Sequence, residues 1–169
     1  QFILGTKSET LERIRNLLQH CKIGNQINFT VKDWKKNKKL ILDQIVQKYS
    51  DVKIVVRSSS KSEDSWNKSN AGNFDSILNV KTNNKKNILD AINKVINSYN
   101  PSISDDDQIF VQKQILDTLL SGVVFTCNLE TGAPYLKINF DDKSKKTNTV
   151  TGGVNQKLRY VSAFIHFSL

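Results

Sequence analysis

The stretch Ile54-Val55-Val56-Arg57-Ser58-Ser59-Ser60-Lys61-Ser62-Glu63-Asp64 decides how this chain folds. It opens with β-branched residues, which favour a pleated, half-buried surface. The pattern predicts a buried strand over Val52–Val56, with Arg57 and three serine hydroxyls at its end. Ser58 to Gly72 reads as a polar loop, and Phe74 to Val80 alternates as a second strand. A guanidinium can fork two phosphate oxygens, and a glycine such as Gly72 lets the backbone come close to an anion. The pattern suits a polyphosphate. A strand ending in polar residues also arises with no ligand at all.

Upstream, Gly5-Thr6-Lys7-Ser8-Glu9 precedes a helical pattern, with Leu11, Ile14, Leu18 and Cys21 at helical spacing. Thr6 and Glu9 supply the T-x-x-E of a capping box. Lys7 then falls in the first turn, where unpaired N–H groups favour an anion. A second helix is expected over Asp33–Tyr49 with Trp34, Ile41, Ile45 and Tyr49 inward. A third is expected over Asn87–Tyr99, with Ile88, Ile92, Val95, Ile96 and Tyr99 as its apolar face. Pro101 and Asp105-Asp106-Asp107 stop it. Downstream, Gln108–Leu116, Gly122–Cys127 and Tyr135–Phe140 read as successive strands, joined by turns at Thr131-Gly132-Ala133-Pro134 and Asp141-Asp142-Lys143. Helices first and an antiparallel meander second give an α+β class.

Composition narrows the function classes. In 169 residues, 38% are hydrophobic and 24% charged, the balance of a globular chain. No apolar run approaches the ~20 residues of a membrane span. Cys21 and Cys127 lack metal-ligand spacing and read as reduced core thiols of a cytoplasmic protein. His20 and His166 also lack partners at ligand spacing; one is expected at the surface and one in a strand. A net charge of +9 favours anions in general. Its Lys/Asn-rich runs carry no interleaved aromatic residues, so stacking platforms for single strands are not indicated. There is no Walker loop, no G-x-G-x-x-G and no G-x-S-x-G.

An ordered set of short blocks resembles the N-terminal ATP-binding domain of phosphoenolpyruvate synthase and pyruvate phosphate dikinase, a variant of the ATP-grasp fold. The blocks are Gly5-Thr6-Lys7-Ser8-Glu9-Thr10-Leu11, Val55-Val56-Arg57-Ser58-Ser59, Glu63-Asp64, Ala71 to Val80, Phe110 to Gln114, Ser121 to Thr126, and Thr131-Gly132. The resemblance implies an α+β, ATP-grasp-like domain whose helices pack on a mainly antiparallel sheet, incomplete at its C-terminus. It implies that Lys7 and Arg57 hold the triphosphate and carry catalysis. It places Ser69, Ala71, Gly72, Asp75 and Ser76 in a phosphate-covering loop and its strand, and Gln112, Lys113 and Gln114 near the adenine. Thr131 to Tyr135 and Ile138 to Asp141 are most similar to a subgroup of L-glutamine kinases in capsule phosphoramidate biosynthesis.

The expected cofactors are ATP and Mg²⁺. Where the family carries a carboxylate for the metal-bound phosphates, this chain has Asn148, a neutral amide ligand. The expected organisation is a partial ATP-binding domain over 1–153, helix-rich over 1–100 and a meander over 108–153, and then an atypical tail over 154–169. That tail ends on an apolar run and reads as a truncation or a changed reading frame. The implied function is the ATP-binding portion of a phosphotransferase, inactive alone. The small-molecule acceptor is bound by regions outside the chain, with neither nucleic acid nor membrane as partner. The competing readings are a basic polyanion-binding module and a degenerate fragment without ligand.

Overall fold

The computed structural model describes residues 5–60, 64–65, 68–69, 76–128, 130–150 and 157–162, with the backbone alone at 64–65, 68–69 and 162. The chain divides into two compact units, Gln1–Gln114 and Ile115–Leu169.

The first unit is built on a four-stranded antiparallel sheet in the order β1-β6-β2-β5. Its strands are β1 (Gln26–Thr30), β2 (Lys53–Ser59), β5 (Ser76–Lys81) and β6 (Gln108–Lys113). Thr30 ends β1 and caps α2 (Val31–Lys48): its hydroxyl accepts from the Asp33 N–H at 3.0 Å while the Asp33 carboxylate accepts from the Thr30 N–H. Such reciprocal caps satisfy two of the N–H groups a helix start leaves over. Asn84 caps α3 (Lys85–Asn97) through the Lys86 N–H. The apolar stripes of α2 (Trp34, Ile41, Leu42, Ile45) and α3 (Ile88, Ala91, Ile92, Val95) form one core with Ile54, Val56, Val80, Ile109 and Val111 of the sheet. Side chains alternate along a strand. The core therefore takes Ile54 and Val56 of β2, and Val55, Arg57 and Ser59 turn to the opposite face.

Several elements depart from expectation. The strand expected over Val52–Val56 runs on through Arg57, Ser58 and Ser59, because those residues keep pairing with Phe110, Ile109 and Gln108 of β6. Arg57 thus stands inside a strand, not at its end. The polar stretch that follows contains a short hairpin, β3 (Asp64–Ser65) with β4 (Lys68–Ser69). The first helix, α1, is shorter than its apolar spacing suggests. It spans Lys7–Ile14, passes through a 3-10 turn at Arg15–Leu17, and Leu18 is extended. Cys21 therefore lies beyond the helix and is exposed, while Cys127 is half-buried. Neither is a core thiol.

The strand expected to open the meander, β6, belongs instead to the first sheet, between β1 and β2. The second unit holds the three-stranded antiparallel sheet β7 (Ser121–Phe125), β8 (Tyr135–Asp141), β9 (Lys157–Ser162). The expected turn between β7 and β8 is present: Gly132 has φ +69° and donates to Asn128 O at 2.8 Å. β9 falls inside the expected atypical tail, and Leu158 and Val161 pair with Asn139 and Leu136 of β8. The rest of that tail, His166 included, lies outside the described residues. No described helix is long and apolar enough to cross a membrane.

Candidate functional site

The face of the first sheet turned away from the core is polar. The strand register sets Arg57 opposite Phe110, Ser59 opposite Gln108, Val55 opposite Gln112, and Gln112 opposite Gln26. Ser76 of β5 flanks Arg57 on the other side. Arg57, Gln112 and Ser76 therefore share one face, although 55 residues of chain separate Arg57 from Gln112.

Phe110 is fully buried on this face, apart from the main core. The Arg57 guanidinium lies 5.3 Å from its ring centroid. A cation over an aromatic face is attracted by the ring quadrupole, and the contact fixes the plane of the fork.

The start of helix α1, which carries Lys7, is fastened to this face. Its capping box forms as expected: the Thr6 hydroxyl accepts from the Glu9 N–H, and the Glu9 carboxylate accepts from the Thr6 N–H at 3.2 Å. Ser8, fully buried, fastens the helix start to the sheet. Its N–H donates to Ser59 Oγ at 2.8 Å, its hydroxyl donates to Gln108 Oε1 at 2.5 Å, and its carbonyl accepts from Gln26 Nε2 at 2.8 Å. Gln108 also accepts from the Thr6 hydroxyl at 2.8 Å and donates to Glu9 Oε1 at 2.8 Å. Tyr99 closes the network: its hydroxyl donates to Gln108 O and accepts from the Ser59 N–H. Lys7 is half-buried beside this anchored residue.

The serines after Arg57 do other work than expected. Ser58, Ser59 and Ser60 are at most 3% exposed. Ser59 bonds to the α1 start, and Ser60 donates to Asp107 Oδ1 at 2.6 Å. The Ser59 and Ser60 hydroxyls build the scaffold, and the same face of the sheet carries Arg57 and Gln112. Gln112 is half-buried and its amide donates to Gly24 O and Gln26 Oε1, both at 3.3 Å. Gln114 bonds to Asn79, the positive-φ residue in the β5 bulge region. Lys113 alternates to the other side of β6 and is exposed. Ser69 lies in β4, and Ala71, Gly72 and Asp75 fall outside the described residues.

Asn148 belongs to the second unit and is exposed. The nearby carboxylate of Asp141 accepts from the hydroxyls of Ser144 and Thr149 and from the N–H groups of Ser144 and Lys143. Those hydrogen bonds, the Ser144 hydroxyl first, hold its carboxyl well below the usual carboxylate range. Among the described residues no group of three or more His, Cys, Asp or Glu side chains could hold a metal ion. One exposed amide beside a saturated carboxylate does not fit a resident metal.

Ser8, Gln108, Phe110 and Tyr99 are not among the site residues the sequence suggests; Tyr99 is expected there only in an apolar helix face, and Ser8 and Phe110 only inside motif blocks. The one local signal was the placing of a small polar residue next to Lys7 and another close behind Arg57. The pairing of those serines depends on a strand 100 residues downstream of Ser8.

The family described as pyruvate phosphate dikinase, AMP/ATP-binding domain, matches residues 6–103 of the 169-residue chain. The matched span opens on the α1 cap, includes Lys7 and Arg57, and stops short of β6. No curated protein matches the chain.

Proposed function

The chain belongs to the pyruvate phosphate dikinase AMP/ATP-binding domain family, and on that premise we propose that Lys7 and Arg57 grip the phosphates of ATP for transfer to a small molecule. The observation that carries this reading is the bridge from Ser8 to Ser59 and Gln108, which puts the start of α1 on the sheet face that presents Arg57. The helix start that carries Lys7 rests on the strand face that carries Arg57, and N–H groups, a point charge and a planar fork are complementary means of binding phosphate. In phosphoryl transfer such groups act by positioning and by stabilising charge on the equatorial oxygens.

ATP enters as its Mg²⁺ complex, and no step is assigned to a metal held by this chain. Gln112 in β6 and Gln114 just past its end are proposed to face the base, with Lys113 at its margin. The segment with Ser69, Ala71, Gly72, Asp75 and Ser76 is proposed to cover the phosphates. The four-stranded and the three-stranded antiparallel sheets support an ATP-grasp-like fold. The motif through Thr131 and Asp141 supports a glutamine-kinase type of acceptor, bound outside this chain in a cytoplasmic enzyme.

Calorimetric titration with Mg-ATP tests the proposal. Charge-assisted hydrogen bonds are worth about 1.5–3 kcal/mol each, so Lys7→Ala with Arg57→Ala should weaken binding at least ~100-fold. Equal affinity in the double variant would overturn the assignment. Phosphoryl transfer by this chain alone would show that the acceptor site lies within it.

A further inference from the structure

Gln108 uses every polar atom of its side chain on α1. Its Oε1 accepts from Thr6 Oγ1 at 2.8 Å and Ser8 Oγ at 2.5 Å, and its Nε2 donates to Glu9 Oε1 at 2.8 Å. Thr6 and Glu9 are the two halves of the α1 capping box. Lys7 sits between Thr6 and Ser8, so three of the residues around it are tied to one amide. The backbone carbonyl of Gln108 accepts from Tyr99, whose ring is buried in the core. Gln108 pairs with Ser59, two residues beyond Arg57 and on the same face. A single side chain thus sets the start of α1 in register with the strand that carries Arg57.

We infer that Gln108 is a positioning residue for phosphate binding: it acts through Lys7 and touches no ligand itself. This rests on the proposed grip of Lys7 and Arg57. An amide suits the place for a chemical reason. Its oxygen serves two hydroxyl donors, and its NH₂ faces a carboxylate. A carboxylate at 108 would keep the hydroxyl contacts but would repel Glu9, tilting the helix start. An alkyl side chain would leave the Ser8 and Thr6 hydroxyls without that acceptor inside the protein.

A double-mutant cycle read by Mg-ATP calorimetry tests the inference. Gln108→Ala should weaken binding ~10-fold in the parent and less than ~2-fold when Lys7→Ala is already present, since residues acting as one unit are not additive. Equal losses in both backgrounds would overturn it. Where Gln108→Ala unfolds the chain, an exchanged pair decides. Gln108→Glu alone should weaken binding, and adding Glu9→Gln, which restores the donor–acceptor match, should bring affinity back to within ~3-fold. Failure of that rescue counts against the inference. If Lys7→Ala leaves affinity unchanged, the phosphate grip itself is wrong. Amide exchange then judges the clamp alone: Gln108→Ala should speed exchange at Ser8 and Thr10, and unchanged exchange there would sink it.

Discussion

Arg57 lies directly opposite Phe110 across β2 and β6, with its guanidinium 5.3 Å from a ring that is fully buried on the side of the sheet away from the core. An apolar ring buried outside the main core needs a cover. Arg57 lays its guanidinium over the ring, and so has a packing role as well as a charge. Replacing it changes both.

This dual role separates Arg57→Lys from Arg57→Ala. Lysine keeps a charge and a stem but loses the planar fork, so Mg-ATP affinity should fall about tenfold. Alanine should lose roughly 1.5–3 kcal/mol of binding and some stability through Phe110. Calorimetry for the first and denaturant unfolding for the second would check this; equal affinities for the two variants would contradict it.

Ser59 gives a stability prediction that leaves both cations in place. Its hydroxyl is the acceptor for the buried Ser8 N–H at 2.8 Å. Ser59→Ala leaves that donor unsatisfied, at a cost of about 1–3 kcal/mol. Urea unfolding should show a lower midpoint with an unchanged slope, the sign of a stability loss without a change in compactness.

The second unit carries its own acid sensitivity. Asp141 has its carboxyl lowered in the folded state, chiefly by the Ser144 and Thr149 hydroxyls. A group with a depressed folded value binds fewer protons than its unfolded counterpart, so stability falls as pH falls. Its contribution is fully present above ~4, the ordinary Asp range, and is lost progressively as pH drops toward the lowered folded value. Protection at the Lys143 and Ser144 amides, taken relative to the intrinsic exchange rate at each pH, should fall more from pH 6 to pH 3 in the parent than in Asp141→Asn, which has no such proton to take up.

Gly122 is fixed by contact rather than by dihedral freedom. A Cβ there would stand 2.5 Å from the Asn139 carbonyl and 3.2 Å from Phe140 Cα, both backbone atoms. Gly122→Ala should therefore force β7 away from β8 and cost about 1–3 kcal/mol, the range for overpacking. Faster amide exchange confined to β7 and β8 would confirm it, and parent-like exchange would refute it.

What could be read from the sequence was mostly local. The Thr6–Glu9 box, the third helix (expected over Asn87–Tyr99, found over Lys85–Asn97) and the turn at Gly132 each depend on residues within a few positions of one another, and each is present. The polar character of Ser58–Ser60 misled for a physical reason. Hydroxyls usually mark loops, but here each is buried, Ser59 and Ser60 bonding to groups brought in by other elements. β1, with only Ile27 and Phe29 as alternating apolar residues, gave too short a signal to stand out. The partners of β6 depend on contacts across about 50 to 85 residues, which no local window contains. For the same reason Gln112 was found through a motif and Gln108 was not.

The strand order also sets a timetable. β6 lies between β1 and β2 in the sheet but follows both in the chain, with α2 and α3 made in between. As synthesis proceeds from the N-terminus, β1 has no neighbour and β2 has only β5 until Gln108–Lys113 emerges. Pairings of such long range slow folding, because the connecting loops must close before any bond rewards them. Until then Ser8 lacks one of its anchors, Phe110 has not arrived beneath Arg57, and the two cations have nothing to hold them in common. A ribosome-bound chain halted before residue 108 should therefore be helical yet blind to nucleotide, and the phosphate grip should appear in one step when the late strand slots home.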